Sequence, residues 1–330
     1  MKLQYALNTI LLIGCVLVGY GQAAYQTPPS DNNKSLDPVN VEALQTDSAD
    51  KHRNEVWFVS ARSIKNQTKD LSKLIVQKHT GGRWNASSLS ELCQRRQESP
   101  KKKTVIYIHG NRTDQFWAKH RGQQVYKNLF SRRPPTHTAL RFIIWSWKSD
   151  KTKHGARDFN LKSQRAINLG TVFSETLNAL GRNDPPLLIG YSLGCQIIAQ
   201  AMLEQASLPE RPRYNMAFIA PVLNCHFSFT KPVATAASPP SQHTIMFVNR
   251  KDLAVRLAKQ ICSRQTCGNS RSFEDWVRSN QQPLGNVQWR DITSESDFRH
   301  SILKYSGLPT VRRSIANLLE SHAPLVNAMR

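Results

Sequence analysis

Short apolar runs and longer amphipathic segments alternate along this chain. The apolar runs are rich in β-branched and aromatic residues and predict strands, whereas segments whose apolar residues recur at helical spacing predict helices. Strands alternating with helices indicate a mostly parallel sheet that is covered by helices on both faces. Eight strand candidates follow one another: EVWFVSARSI, SKLIVQKH, KTVIYIHGN, ALRFIIWSW, PPLLIGYS, RYNMAFIAPVLN, HTIMFVNRKD and NVQWRDIT.

Helical segments lie between these strands. NASSLSELCQRR opens like a capped helix, with Ser87 or Ser88 as the candidate N-cap. AKHRGQQVYKNLFSRR ends before a Pro-Pro pair, and DFNLKSQRAINLGTVFSETLNALG ends at Gly181, a residue type that suits a helix terminus. LGCQIIAQAMLEQAS follows the fifth strand directly. The pattern therefore predicts one α/β domain over residues 54–330, without an internal repeat.

The N-terminus has a pattern of its own. MKLQYALNTILLIGCVLVGYGQAAYQ carries one Lys, an apolar run and a small-residue exit, which is typical of an export signal. We predict a signal peptide over residues 1–24, with cleavage after Ala23 or Ala24. The alternatives are an uncleaved anchor and a lipoprotein acylated on Cys15. The apolar run continues past LIGC, which argues against acylation.

Composition and charge narrow the choice of partners. With 330 residues, 39% hydrophobic and 21% charged, the chain suits a globular domain preceded by a polar, flexible segment over residues 25–53. A formal net charge of +22 predicts either a solubilising surface or electrostatic association with an anionic membrane or envelope polymer. No zinc-finger spacing or RNA-binding signature accompanies the basic clusters, so we expect no nucleic-acid partner. We expect a periplasmic or extracellular location, with membrane anchoring through the N-terminus as an alternative.

Because we predict export, we interpret the cysteines as those of a protein in an oxidising compartment. Beyond the signal segment the chain has an odd number: Cys93, Cys195, Cys225, Cys262 and Cys267. The stretch CSRQTC makes a local disulfide between Cys262 and Cys267 plausible in an oxidising compartment. A metal site is the alternative for a C-x4-C pair, but no second pair completes one, and we expect no metal.

The stretch PPLLIGYSLGCQIIAQAML, residues 185–203, carries the strongest chemical signal. Ser192 lies between Gly190 and Gly194, directly after an apolar strand and directly before an apolar helix. Two glycines allow a sharp turn that lifts a serine hydroxyl clear of the sheet, at a helix N-terminus that favours developing negative charge. The alternative is an ordinary glycine-flanked strand-to-helix junction.

A nucleophilic serine needs hydrogen-bond donors for the oxyanion that forms on its substrate. One should be the backbone N–H of Leu193, the residue after the serine. VIYIHGNRTD offers the second, because a buried strand ends there at His109-Gly110. The amide of Asn111, or alternatively that of Arg112, is the candidate donor. His109 itself is interpreted as a residue that shapes the loop.

The serine also needs a base, and the base needs a carboxylate that orients it. HTIMFVNRKDLAV places Asp252 just after a strand. This residue could serve as the acid, as the N-cap of the helix LAVRLAKQI, or as both, and Asp291 in WRDIT is the reserve. The base is predicted to be His300, in the loop after the last strand. A surface histidine that opens a helix is the alternative interpretation, and His322 is a second candidate base.

Taken together, HGNRTD, GYSLG, NRKD and the late His300 resemble the α/β-hydrolase superfamily over roughly residues 55–322. VWFVSARSI and the HGNRT loop resemble a sparsely characterised bacterial branch of it. The resemblance implies an α/β-hydrolase fold with a central sheet of about eight strands and a triad of Ser192, Asp252 and His300. No long cap insertion separates the sixth and seventh strands. Because this is a departure from the family's pattern, we expect little or no cap domain and an open pocket, rimmed by WKSDKTKHGARD and CHFSFTKPVATAASPPSQ.

These features predict a serine hydrolase that acts on a carboxylic ester or related small-molecule or lipid acyl substrate through an acyl-enzyme. A non-catalytic, hydrolase-like binding protein of the cell envelope is one alternative. An acyltransferase with the same triad is another. No Walker A pattern, dinucleotide-type glycine triplet or HExxH is present, so we expect no cofactor.

Overall fold

The computed structural model describes residues 54–65, 68–98, 102–131, 138–152, 155–181, 184–206, 208, 213–223, 241–261 and 287–321. Several sequence predictions fall outside these ranges. They are the signal peptide over residues 1–24, the segment over residues 25–53, the pair Cys262 and Cys267, the reserve base His322, and most of the rim segment CHFSFTKPVATAASPPSQ.

A single nine-stranded sheet forms the centre of the domain. Its strand order is β3-β2-β1-β5-β4-β6-β7-β8-β9. Strand β2 runs antiparallel to both of its neighbours, and every other pair of adjacent strands is parallel. This mostly parallel sheet confirms the predicted fold class. The strands are β1 Glu55–Ser60, β2 Ile75–Thr80, β3 Arg83–Ser87, β4 Lys103–Ile108, β5 Leu140–Ser146, β6 Leu187–Tyr191, β7 Tyr214–Ile219, β8 Ser241–Val248 and β9 Val287–Asp291.

The strand that the sequence pattern missed is β3. Its sequence, RWNAS, is polar, and none of its residues is buried, so the hydrophobic pattern carried no signal for it. It forms because Gly81 and Gly82, with φ of 59° and 77°, make a tight turn of the kind that joins two antiparallel strands. Within the described residues the sheet thus has nine strands, one more than the eight runs that the sequence pattern indicated.

Seven helices lie within the described residues. The first begins after Ser88, whose hydroxyl accepts a hydrogen bond from the Glu91 amide at 3.0 Å, so Ser88 is its N-cap. Helices α3 and α4 pack against each other, and α2 packs against α6 and α7. None of the described helices is long and apolar enough to cross a membrane. The helices are α1 Leu89–Glu98, α2 Gln115–Phe130, α3 Gly155–Leu180, α4 Gly194–Ala206, α5 Leu253–Ile261, α6 Ile302–Gly307 and α7 Pro309–Glu320.

The hydrophobic core follows the central strands. Strands β5, β6 and β7 are buried along their whole lengths, as expected for parallel strands covered on both faces. The loops that leave β4, β5, β6, β8 and β9 at their carboxyl ends lie along one edge of the sheet. In open α/β sheets this edge is where ligands bind. The predicted site residues within the described ranges are in these loops, except Gly190 near the end of β6 and Gly194 at the start of α4.

Candidate active site

Ser192 occupies a strained turn between β6 and α4. Its φ is 54°, in the left-handed region, where a residue other than glycine costs about 1–3 kcal/mol. Backbone hydrogen bonds hold the turn: the Ser192 amide donates to the Ile219 carbonyl at 3.1 Å, and the Ser192 carbonyl accepts from Cys195 at 3.1 Å and from Val222 at 3.3 Å. The turn therefore depends on the end of strand β7 as well as on its own sequence.

Each of the three glycines predicted around the serine has a steric reason to be there. A Cβ on Gly190 would lie 2.8 Å from the Cα of Cys195. On Gly194 it would overlap the backbone carbonyl oxygens of Ile108 and His109. On Gly110 it would lie 2.9 Å from the Cβ of Ser192. The helix start, the serine turn and the preceding loop thus approach one another more closely than any side chain would allow.

Within the described part of the chain, two backbone amides near the serine turn have no hydrogen-bond partner. The N–H groups of Leu193 and Asn111, both predicted oxyanion donors, find no hydrogen-bond acceptor among the described residues. The Arg112 amide, the alternative donor, already donates to the Asn111 side-chain oxygen at 2.8 Å. Asn111 is therefore the better candidate of the two, since only its amide is available to a substrate.

His109 shapes the loop that carries Asn111. The imidazole is buried, and burial lowers its pKa to about 3, against a weaker opposing effect of the Gly110 carbonyl. Nδ1 faces the Gly110 carbonyl at 2.9 Å, whereas Nε2 faces the Trp147 amide at 3.3 Å. Because a carbonyl only accepts and an amide only donates, the ring is neutral with its proton on Nδ1. His109 thus acts as a structural link.

Arg62 holds the same loop from the other side, and nothing in the sequence pattern indicated this role. Its guanidinium donates to the carbonyls of Thr113 at 3.2 Å and Trp147 at 2.7 Å, and to the Asp150 carboxylate at 2.5 Å. Burial lowers the Arg62 pKa, and the attraction of Asp150 opposes this effect. The side chain joins the loops after β1, β4 and β5.

Asp252 is both a helix cap and a partner of His300. One carboxylate oxygen, Oδ1, accepts from the backbone amides of Ala254 at 3.0 Å and Val255 at 3.1 Å at the start of α5. The other, Oδ2, lies 2.6 Å from Nδ1 of His300. Burial alone would raise the Asp252 pKa, but the interactions with His300 and Tyr305 outweigh it, and the pKa is lowered. The carboxylate is therefore ionised, buried and fixed in orientation.

His300 lies beside the serine turn. Its ring stacks on Tyr191, the residue before Ser192, with centroids 4.9 Å apart and an interplanar angle of 26°. Since Nδ1 donates to Asp252, the lone pair of the neutral ring is on Nε2. The Ser192 hydroxyl makes no hydrogen bond to His300 among the described contacts. Such bonds are often long in enzymes without substrate.

Tyr305 is a second residue near the site that the sequence interpretation missed. It is fully buried in α6, and its hydroxyl donates to Oδ2 of Asp252 at 2.6 Å. A single tyrosine in a short helix, far along the chain from the aspartate it contacts, carries no pattern that could have identified it. The reserve acid Asp291 instead pairs with Arg250 at 2.9 Å. It makes no hydrogen bond to His300 among the described contacts.

Comparisons with known proteins give the following. No family model and no curated protein matches the chain. A hyperthermophilic esterase from the archaeon Pyrobaculum calidifontis is 10% identical, with a TM-score of 0.35 over 76% of this chain and 81% of that one. A monoclinic form of the Pyrobaculum calidifontis esterase is 11% identical, with a TM-score of 0.36 and the same coverage.

A third similar structure is MGS-M1, an α/β hydrolase from a Medee basin deep-sea metagenome library. It is 10% identical, with a TM-score of 0.29 over 78% of this chain and 97% of that one. All three similarities are weak, and the assignment of the fold depends on the features of the chain itself. Its mostly parallel nine-stranded sheet covered by helices and its turn at Ser192 between β6 and α4 give this protein the α/β-hydrolase fold.

Proposed function

We propose that this protein is a serine hydrolase that cleaves a carboxylic ester or related acyl substrate through an acyl-enzyme on Ser192. The observation that carries the proposal is the 2.6 Å hydrogen bond from Nδ1 of His300 to the buried carboxylate of Asp252. It leaves Nε2 of a neutral imidazole ready to accept a proton, beside a serine in a strained turn. General-base activation of a serine needs these groups in this order.

In the acylation step, the Ser192 oxygen forms a bond to the substrate carbonyl carbon while its proton passes to Nε2 of His300. The negative charge moves onto the carbonyl oxygen, which the backbone amides of Leu193 and Asn111 would bind. Collapse of this intermediate breaks the bond to the alcohol, which takes the proton from His300. Asp252 stabilises the imidazolium in between and stays ionised throughout.

In the deacylation step, water takes the place of the alcohol. His300 accepts a proton from the water as its oxygen attacks the acyl carbon, and the bond to Ser192 breaks with return of that proton to the serine. An acceptor other than water would make the same site an acyltransferase. A panel of alcohol acceptors added to the hydrolysis assay separates the two activities by their products.

The geometry favours a catalytic site over a non-catalytic binding protein. Ser192 in the left-handed region costs free energy, and a binding surface would gain nothing from that strain. The two unpartnered amides of Leu193 and Asn111 likewise have no structural use among the described residues. Both features are explained if a tetrahedral oxyanion forms next to the serine.

Labelling with a fluorophosphonate probe tests the proposal. The probe should form a bond between phosphorus and Oγ of Ser192 with loss of fluoride, and Ser192→Ala should abolish the label. The matched control is Ser174→Ala in α3, a buried serine that contacts Gln205 and should be labelled like the wild type. Equal labelling of the wild type and Ser192→Ala would contradict the proposal.

Three exposed apolar side chains on elements that follow the carboxyl ends of strands support a hydrophobic acyl chain as part of the substrate. Phe116, Leu161 and Phe298 expose 61%, 64% and 55% of their surfaces. Phe116 is in the first turn of α2, and Leu161 is near the start of α3. Phe298 is in the loop that carries His300. All three follow carboxyl ends of strands, at the edge of the sheet that carries Ser192.

Replacing both Phe116 and Leu161 by serine should therefore raise KM for a long-chain acyl ester about ten-fold. The change for an acetyl ester should be much smaller, because a short acyl chain would not reach these two side chains. The matched control is Ile75→Ser. The Ile75 side chain is also exposed, at 50%, but it lies on β2, near the end of the strand order. KM values measured over a series of chain lengths check this, and an effect independent of chain length would contradict it.

Electrostatic association of this basic chain with anionic membranes or envelope polymers, and export by the N-terminal segment, stay predictions from the sequence.

A further inference from the structure

Tyr305 lies in direct contact with the Asp252–His300 pair. Its hydroxyl and Nδ1 of His300 both lie 2.6 Å from the same carboxylate oxygen, Oδ2 of Asp252. The other oxygen, Oδ1, is occupied by the amides of Ala254 and Val255. The carboxylate therefore accepts four hydrogen bonds, and its negative charge interacts with all four donors. The imidazole of His300 is only one of them.

The direction of the tyrosine bond follows from a third residue. The Asn249 side-chain nitrogen donates to the Tyr305 oxygen at 3.1 Å and to the Asp297 carbonyl at 2.6 Å. The Asn249 side-chain oxygen accepts from the Lys251 amide at 3.0 Å, which fixes the orientation of the side chain. Because an amide nitrogen only donates, the Tyr305 oxygen is the acceptor there, and its own proton points to Asp252.

We propose that Tyr305 is a positioning residue, whose hydroxyl holds Asp252 in place and limits how strongly its carboxylate attracts the His300 proton. This inference rests on the proposed function of the triad. Through Asn249 the same network joins the loop of Asp252 to the loop of His300. Tyr305 therefore affects both where the Asp252 carboxylate and the His300 imidazole lie and how strongly their charges interact.

The other titratable and charged groups near the Asp252–His300 pair have contacts of their own. Tyr191 approaches from β6 and stacks on His300, and Arg121 from α2 acts on Tyr191 electrostatically. In the loop of His300, Asp297 pairs with Arg299 at 3.1 Å and also with Lys304. On the loop of Asp252, Arg250 pairs with Asp291. Tyr305 is thus the one group besides His300 whose side chain bonds to the Asp252 carboxylate among the described residues.

Tyr305→Phe tests the proposal. Without the hydroxyl, the charge on Oδ2 is less shared and holds the protonated imidazole more strongly. The acid limb of the kcat/KM profile should move to higher pH by about 0.5 to 1, so that activity falls about 3- to 10-fold at low pH and less on the plateau. Tyr107→Phe, which removes a buried tyrosine hydroxyl of β4 that contacts neither Asp252 nor His300, should keep the wild-type profile. A uniform loss at every pH in Tyr305→Phe would overturn the proposal.

A measurement that needs no activity separates this inference from the proposed function. The His300 ring is followed by NMR with ¹³C-labelled histidine and identified by the signal that His300→Gln removes. Its titration midpoint should rise in Tyr305→Phe and fall when 3-fluorotyrosine, a stronger donor, is placed at position 305. Unchanged midpoints in both variants overturn the inference. Shifted midpoints in a protein that the fluorophosphonate does not label would support the inference and disprove the proposed function.

Discussion

Asp252→Asn is expected to lower kcat/KM for ester hydrolysis by about 10³- to 10⁴-fold. The two amides of α5, from Ala254 and Val255, will bind the oxygen of the new amide, as they now bind Oδ1. Its NH₂ group must then face Nδ1 of His300. Since that group only donates, the His300 proton is forced onto Nε2, where it blocks the acceptance of a proton from Ser192.

The same substitution should leave the fold almost unchanged, because asparagine caps a helix about as well as aspartate. Asp252→Ala loses the cap as well, and the free energy of unfolding should fall by a further 1 kcal/mol or so. Steady-state kinetics and denaturant titration on both variants separate the two roles. The assignment of Asp252 as the acid fails if the asparagine variant keeps activity within ten-fold of the wild type.

Glu55→Gln is expected to lower the free energy of unfolding by about 3–5 kcal/mol, with no direct effect on the site. Glu55 lies at the start of β1, on the opposite edge of the sheet from Ser192. Its carboxylate bonds to Lys102 at 2.8 Å and to Arg141 at 2.8 Å, and all three side chains are buried. Removing this negative charge takes the carboxylate partner away from two buried cations, a loss that burial makes large.

Glu320→Gln is the matched control. Glu320 pairs with Lys103 at 3.1 Å but is 45% exposed, so its loss should cost less than about 1 kcal/mol. Urea unfolding of the wild type and both variants gives the comparison. A change below 1 kcal/mol in Glu55→Gln would show that the buried cluster does not hold the edge of the sheet together.

The Glu55 cluster also predicts how stability depends on pH. Burial alone would raise the Glu55 pKa, but Lys102 and Arg141 outweigh it and lower the pKa from 4.5 to about 2. A lowered pKa means that the stabilisation is complete above pH 4.5 and is lost as the pH falls towards 2. The loss of stability that comes from protonation of Glu55 should be absent in Glu55→Gln. Unfolding curves recorded between pH 4.5 and pH 2 measure this difference.

Much of the fold could be predicted from the sequence, because its signals are local. Apolar runs identified the other eight strands, and they failed for β3, whose sequence RWNAS is polar and which follows a turn of two glycines. The serine turn is equally local: Gly190 and Gly194 lie within two residues of Ser192, and the atoms that would clash with a side chain there belong to adjacent elements. Spacing in the sequence is enough to indicate such a turn.

The tertiary structure decided what spacing left open. It favours Asn111 over Arg112 as an oxyanion donor, because the Arg112 amide is already bonded. It joins Asp252 rather than Asp291 to His300, and it shows that Asp252 is a helix cap at the same time. Each of these outcomes depends on which groups meet in space, and the sequence order alone could only rank the candidates.

Arg62 and Tyr305 mark the limit of inference from the sequence. Arg62 contacts Asp150, and Tyr305 contacts Asp252, across long stretches of chain. Single polar residues have no period and no motif, so nothing distinguishes them until the parallel strands bring their loops to one edge of the sheet. The sequence by itself determined the α/β fold and the order in which Ser192, Asp252 and His300 follow one another along the chain. Only folding decided which side chains orient them, because hydrogen bonds depend on distance in space and not on separation along the chain.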